Sequence, residues 1–190
     1  MSDNVIRGPT IEGVIRKRRE RAITGRGYLA LLVRIAVLAL VTWLILTQCF
    51  LICQNKGQDM FPSVKDGDLC VIFRTRLMKL VGDQFSAGDI VAYRIEGERH
   101  FGRIVAIAGD SVQIDTTGSV TVNGVTVGGE IQFPTYTRGD DLLNITNVQD
   151  NMVYVLGDYR THTMDSRDYG PIPLTQVEGK VLSILRRRGL

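Results

Sequence analysis

The residues of this 190-residue chain that could do chemistry gather in three short stretches. The first, directly after a long apolar segment, is Gly57-Gln58-Asp59-Met60-Phe61-Pro62-Ser63-Val64. The second is Gly102-Arg103-Ile104-Val105-Ala106-Ile107-Ala108-Gly109-Asp110. The third is Gly157-Asp158-Tyr159-Arg160-Thr161-His162-Thr163-Met164-Asp165-Ser166-Arg167-Asp168-Tyr169-Gly170. Asp59 and Asp165 have the residue types for an acid pair, in which two close carboxyl groups share a proton. Arg167 competes for Asp165 as a structural ion-pair partner. The two histidines stand 62 residues apart and no Cys/His cluster has metal-ligand spacing, so no metal and no cofactor is expected.

The surrounding pattern indicates how these stretches are positioned. Residues 35–53 are nineteen positions without a charge, broken only by Thr42, Thr47 and Gln48. At about 1.5 Å per helical residue they span a hydrocarbon core of about 30 Å. Residues 28–33 extend the segment beyond Arg34, which is close enough to its end to snorkel. A cleaved signal peptide would need a shorter apolar region and small residues at the cut, and Leu51-Ile52-Cys53-Gln54 supplies neither. Residues 28–53 are therefore expected to be an uncleaved transmembrane anchor helix, with Cys49 and Cys53 as apolar filler on one of its faces. That leaves Cys70 alone in the following domain, which on this reading holds no internal disulfide.

Beyond the anchor, short alternating apolar runs bounded by Gly, Asp and Asn predict strands at 68–73, 89–95, 100–107, 111–114, 119–122, 125–127, 152–156 and 177–185. Asn123-Gly124 marks a type I′ hairpin, because both residues tolerate positive φ. Residues 75–81 read as a turn or short helix and 130–150 as a surface insertion. Arg186-Arg187-Arg188 reads as a solubilising end that near a bilayer could touch anionic headgroups. The expectation is a mainly β domain over 54–190 behind a single membrane helix.

The three stretches, in this order, resemble the motifs of the type I signal peptidase family. The first is similar to the nucleophile motif G-x-S-M-x-P-T, keeping Met60 and Pro62 with Asp59 at the serine position. The second is similar to the family's lysine-arginine, apolar strand and Gly-Asp sequence; Arg103, Gly109 and Asp110 match and Gly102 stands at the lysine. The third is similar to G-D-N-x-x-x-S-x-D-S-R-x-x-G, matched by Gly157, Asp158, Asp165, Ser166, Arg167 and Gly170. Thr163 stands at its hydroxyl position and Tyr159 at its Asn. The resemblance implies the coiled β-fold shared by signal peptidases and self-cleaving repressors. It also implies a groove for an extended peptide at Asp59, Met60, Pro62, Gly102, Arg103 and Thr163. Gly109, Asp110, Gly157, Asp158, Asp165, Ser166 and Arg167 would support that groove structurally.

In the family a serine hydroxyl is activated by a lysine whose ammonium form is disfavoured by burial. Asp59 has no hydroxyl and Gly102 has no side chain. On this reading no residue is catalytic and the chain is a pseudoenzyme. The alternative is an active peptidase with a displaced pair. His100 shares a strand face with Gly102, and Ser63 lies four residues past Asp59.

Composition bounds the partners. Residues 1–27 hold seven Lys/Arg against three acids, whereas 54–190 hold fifteen against seventeen. A nucleic-acid-binding body would carry its positive charge on the domain, so nucleic acid is excluded as a partner. The basic 1–27 tail, tail or short amphipathic helix, should stay in the cytoplasm and place 54–190 outside. The resemblance extends to inactive signal-peptidase-like factors of Gram-positive pilus gene clusters. It implies exported proteins, such as pilin subunits and a sortase, as partners at the cell membrane.

Overall fold

The computed structural model describes residues 11–82, 84–128, 131, 133–138 and 144–186. The expectations for residues 1–10, 130, 132, 139–143 and Arg187-Arg188 lie outside these. The chain divides into a helical unit ending at Thr47 and a β unit beginning at Gln48.

Helix α1 runs Ile11–Cys49, so the described part of the basic segment is helical and continuous with the apolar stretch. Within it Gly27–Cys49 is long and apolar enough to cross a membrane, its most apolar 18-residue stretch having a mean hydropathy of 2.6. Its apolar side chains, Leu38 and Trp43 among them, are exposed in the isolated chain. Such a surface is stable only in an apolar solvent, which fits a membrane anchor.

The helix ends at Cys49, not Cys53. Strand β1 (Phe50–Gln54) takes the last four apolar residues and pairs antiparallel with β2 (Leu69–Arg74). An apolar run reads alike in a buried helix and a strand; the partner strand decides. Cys53 consequently belongs to the β unit and stands directly opposite Cys70. The expectation that Cys70 is alone there is thereby corrected.

After β2 come α2 (Thr75–Val81), β3 (Ile90–Ile95), β4 (Glu98–Ile107), β5 (Ser111–Ile114), β6 (Val120–Val122), β7 (Val125–Val127), β8 (Asn144–Asn147), β9 (Met152–Leu156), α3 (Ser166–Tyr169), β10 (Ile172–Pro173) and β11 (Val177–Leu185). They form a seven-stranded sheet ordered β1-β2-β11-β3-β4-β9-β10 and a four-stranded sheet ordered β7-β6-β5-β8, all pairs antiparallel. The hairpin at Asn123-Gly124 has φ of 51° and 80°, as a type I′ turn requires. Strand β8 falls within the region expected to be a surface insertion. Its Asn-Ile-Thr-Asn sequence carries no strand pattern, and pairing with β5 imposes the conformation.

Alternation along β3 and β4 sorts the core. Ala92 and Phe101 face one side, packed with Met60, Val64, Cys70 and Ile72. Val91, Tyr93 and Ile104 face the other, with Val153, Val155, Ile172 and Val177. The smaller sheet closes over Ala106, Tyr154 and Leu156 through Val112, Ile114 and Val120.

Candidate functional site

The first motif is the loop between β1 and β2, pinned at its base. Asn55 N–H donates to the Asp68 carbonyl at 2.8 Å, and the Asn55 amide donates to the carbonyls of Gly57 (3.2 Å) and Lys65 (3.1 Å). Gly57, at φ 105°, donates its N–H to Asp66 at 2.9 Å, a backbone conformation that favours glycine. Met60 and Val64 are fully buried in the core cluster with Phe101. Met60 therefore has no surface to offer a ligand, and its place in the motif is to plug the loop into the sheet. Pro62 is partly exposed beside Phe61.

Between these anchors Asp59 is held half-buried, its carbonyl accepting from Tyr159 N–H at 3.0 Å. Burial pushes its carboxyl above the ordinary aspartate range; the His100 ring pulls it back down and the Asp165 carboxylate pushes it further up. Asp59, His100 and Asp165 are thus brought together from three separated stretches.

Asp165 is nevertheless committed elsewhere. It is fully buried and accepts from Arg167 Nε at 2.8 Å, Arg167 Nη2 at 2.9 Å, Arg167 N–H at 3.1 Å and Gly157 N–H at 3.1 Å. It also caps α3 in a reciprocal capping box with Asp168. Each oxygen already receives two N–H groups, so its lone pairs are occupied and little room is left for a second carboxyl group. The ion pair, rather than the acid pair, is what the geometry supports.

The second motif lies on β4. Arg103 grips Asp158 with Nε (2.9 Å) and Nη2 (2.7 Å), and also donates to the Gly88 carbonyl at 2.9 Å and Ser63 Oγ at 3.3 Å. This pair joins β4, the motif loop and the end of β9. The Ser63 hydroxyl thus meets a guanidinium, which has no lone pair with which to take its proton. Gly109 and Asp110 shape the following turn: Asp110 accepts from Ile107 N–H at 2.9 Å and from the Asn123 amide at 2.8 Å.

Gly102 is buried opposite Val91 in the middle of β4. A Cβ there would stand 2.3 Å from Val155 Cγ1 and 3.2 Å from Tyr93 Cε1. The side-chain space at 102 is filled by its neighbours across the sheet. Tyr93 is in register with His100 and stacks on it, centroids 5.7 Å apart and planes at 27°. Burial first, then the charges of Asp165 and Asp59, push the Tyr93 phenol well above its usual range. Sequence reasoning overlooked Tyr93. The signal was available in the tight Glu96-Gly97 turn, which fixes the β3–β4 register and hence the Tyr93–His100 pairing.

In the third motif Thr163 is buried, its hydroxyl donating to the Tyr159 carbonyl at 2.6 Å. It packs where a Cβ on Gly157 would lie, within 2.2 Å, so that glycine permits the close approach. Ser166 Oγ accepts from Val155 N–H at 2.9 Å. Tyr159 leaves the loop hydrogen-bonded to Asp59 and builds an aromatic cluster: His162 stacks at 4.4 Å, Phe133 lies at 4.7 Å and Phe61 at 6.1 Å. This cluster, beside a shallow depression of about 310 Å³ lined by Gln58, Phe61, Lys65, Asp66 and Tyr159, was also unforeseen. An apolar cleft of about 350 Å³ beside α2 takes in Ile107 and Ala108 from the second motif but none of the candidate site residues. Among the described residues no group of His, Cys, Asp and Glu could hold a metal ion.

The chain is similar to several known proteins. Signal peptidase I of Bacillus amyloliquefaciens is 31% identical over 120 residues, covering 59% of this chain and 62% of that relative, so less than two thirds of its length is spanned. Mitochondrial inner membrane protease subunit 1 of Schizosaccharomyces pombe is 25% identical over 137 residues, covering 70% of this chain and 72% of that protein. The crystal structure of a signal peptidase I from Enterococcus faecalis V583 aligns with a TM-score of 0.44 at 24% identity, over 53% of this chain and 98% of that one. Residues 27–185, the described apolar span and nearly all of the β unit, match the family model described as signal peptidase, peptidase S26; the chain belongs to the peptidase S26 signal peptidase family.

Proposed function

We propose that this chain is a non-catalytic, membrane-anchored member of the family that binds an extended segment of an exported protein during assembly at the cell surface. The filled space at Gly102 carries this reading: Val155 and Tyr93 occupy the volume from which a basic side chain would have to grow. Asp59 supplies a carboxylate, a poor nucleophile towards an amide, where the family presents a hydroxyl. Removing the members of a catalytic unit costs up to about a million-fold in turnover and leaves binding.

The remaining site is suited to binding. Strand β1 is the end strand of its sheet and runs straight into the Asp59 loop, so an added strand could pair with its free edge while pockets read side chains. Phe61, Tyr159 and His162 offer partly exposed rings next to it. Asp59 favours a segment bearing lysine or another cation, and pilin subunits handled by a sortase are the partners proposed. The basic residues before the span favour an orientation with the β unit outside the cytoplasm.

Crosslinking in intact cells followed by purification of the full chain tests this. Wild type should capture exported proteins, and Asp59→Ala, at a half-buried loop carboxylate, should reduce capture without unfolding the domain. Equal capture by a folded Asp59→Ala protein would place the ligand elsewhere.

A further inference from the structure

The pairing of β1 with β2 sets Cys53 directly opposite Cys70. Direct partners on an antiparallel ladder project to the same face with Cα atoms about 4.5–5.5 Å apart. That lies within the range of about 4.4–6.8 Å that a disulfide spans. Cys70 is fully buried in the cluster with Met60 and Ile72, while Cys53 packs at its rim and is partly exposed. Cys49, four residues earlier, precedes the ladder and has no cysteine across from it.

We propose that Cys53 and Cys70 form a reversible cross-strand disulfide that locks the loop carrying Asp59. The ring would close on residues 53–70, which contain the whole first motif. Hydrogen bonds already tie the loop base, from Asn55 N–H to Asp68 and from Gly67 N–H to Asn55. A covalent bond one residue pair beyond Gln54–Leu69 would stop β1 from parting from β2 and would hold both Asp59 and the free edge of β1 in place.

The reaction is thiol–disulfide exchange with a small-molecule or protein disulfide as oxidant. The partly exposed Cys53 thiolate attacks one sulfur of the oxidant, forming a mixed disulfide and releasing one thiolate. Cys70 then loses its proton and attacks Cys53 Sγ, forming the Cys53–Cys70 bond and releasing the second thiolate. Two protein thiols are oxidised and one disulfide is reduced to two thiols. Burial raises both cysteine thiols, Cys70 to about 11, while the positive charge of Arg99 works against that rise at Cys53. Cys53 is accordingly the attacking group, and the first step should accelerate as pH rises.

Formation in cells rests on the proposed placement of the β unit outside the reducing cytoplasm. The test has two arms. In the first, the purified full chain in detergent is treated with oxidised glutathione, alkylated and digested for peptide mass spectrometry. The expected product is a Cys53–Cys70 linked peptide with Cys49 alone alkylated. The thermal midpoint should fall by roughly 5–10 °C on adding reductant, and Cys53→Ser, which replaces a partly exposed thiol, should abolish that difference. Alkylation of all three cysteines, arrest at a glutathione adduct, or pairing through Cys49 would overturn the proposal. In the second arm, thiols are blocked in intact cells before lysis. Linkage in the purified chain but not in cells would overturn a physiological role and point to the topology as the failed premise.

Discussion

Substitution of Gly102 provides a quantitative check on the filled site. A methyl group there lands 2.3 Å from Val155 Cγ1 and 3.2 Å from Tyr93 Cε1, and both neighbours are essentially unexposed and unable to swing into solvent. Gly102→Ala should therefore cost about 1–3 kcal/mol through overpacking. Val155→Ala alone should cost roughly 2 kcal/mol in lost burial and residual cavity. In the double variant the new methyl occupies part of the volume vacated by valine, so its cost should fall below the sum by about 1–2 kcal/mol, as coupled neighbours do. Urea unfolding of the four proteins in mild detergent, followed by circular dichroism, measures the cycle. The same geometry predicts that Asp59→Ser with Gly102→Lys gains no peptidase activity until Val155 is also reduced to alanine. A neutral Gly102→Ala, or strictly additive energies, would refute the packing argument and reopen the site to a transplanted base.

Three further outcomes are expected. A folded-state carboxyl raised by burial stabilises the native state at low pH, and that contribution is lost as pH rises from 3.8 through the raised value. The stability of Asp59→Asn relative to wild type should therefore improve over this window, and an unchanged difference would contradict burial of Asp59. Asp158→Ala leaves the Arg103 guanidinium facing a buried space without its carboxylate, and should cost about 3–5 kcal/mol in the same unfolding assay; a cost under about 1 kcal/mol would show that the pair does not join the motifs. Met60→Ala should cost about 2–5 kcal/mol, making it a probe of loop packing and not of ligand contact.

The strands legible in sequence were those whose own residues alternate. Ser111–Ile114 and Val125–Val127 appear in the structure with the expected limits, and Asn123-Gly124 turns as its chemistry demands. Phe50–Gln54 and Asn144–Asn147 were not legible, because one continues an apolar run up to its final Gln and the other is largely polar. Each takes its conformation from a partner strand distant in sequence. The same limit applied to the site. The motif residues Asp59, Arg103, Asp158 and Asp165 could be identified from the resemblance of their three stretches to the family's motifs. That Val155 and Tyr93 fill the place at Gly102 depends on the order β3-β4-β9, which no local pattern specifies.

Incubation of the detergent-solubilised full chain with a signal-peptide-bearing precursor, with an active signal peptidase I as positive control, tests the central claim most directly. No processed product is expected from the wild-type chain at any pH at which it stays folded. Product that forms with wild type and disappears with Asp59→Ala would contradict the claim and make this chain a peptidase with an unusual catalytic group.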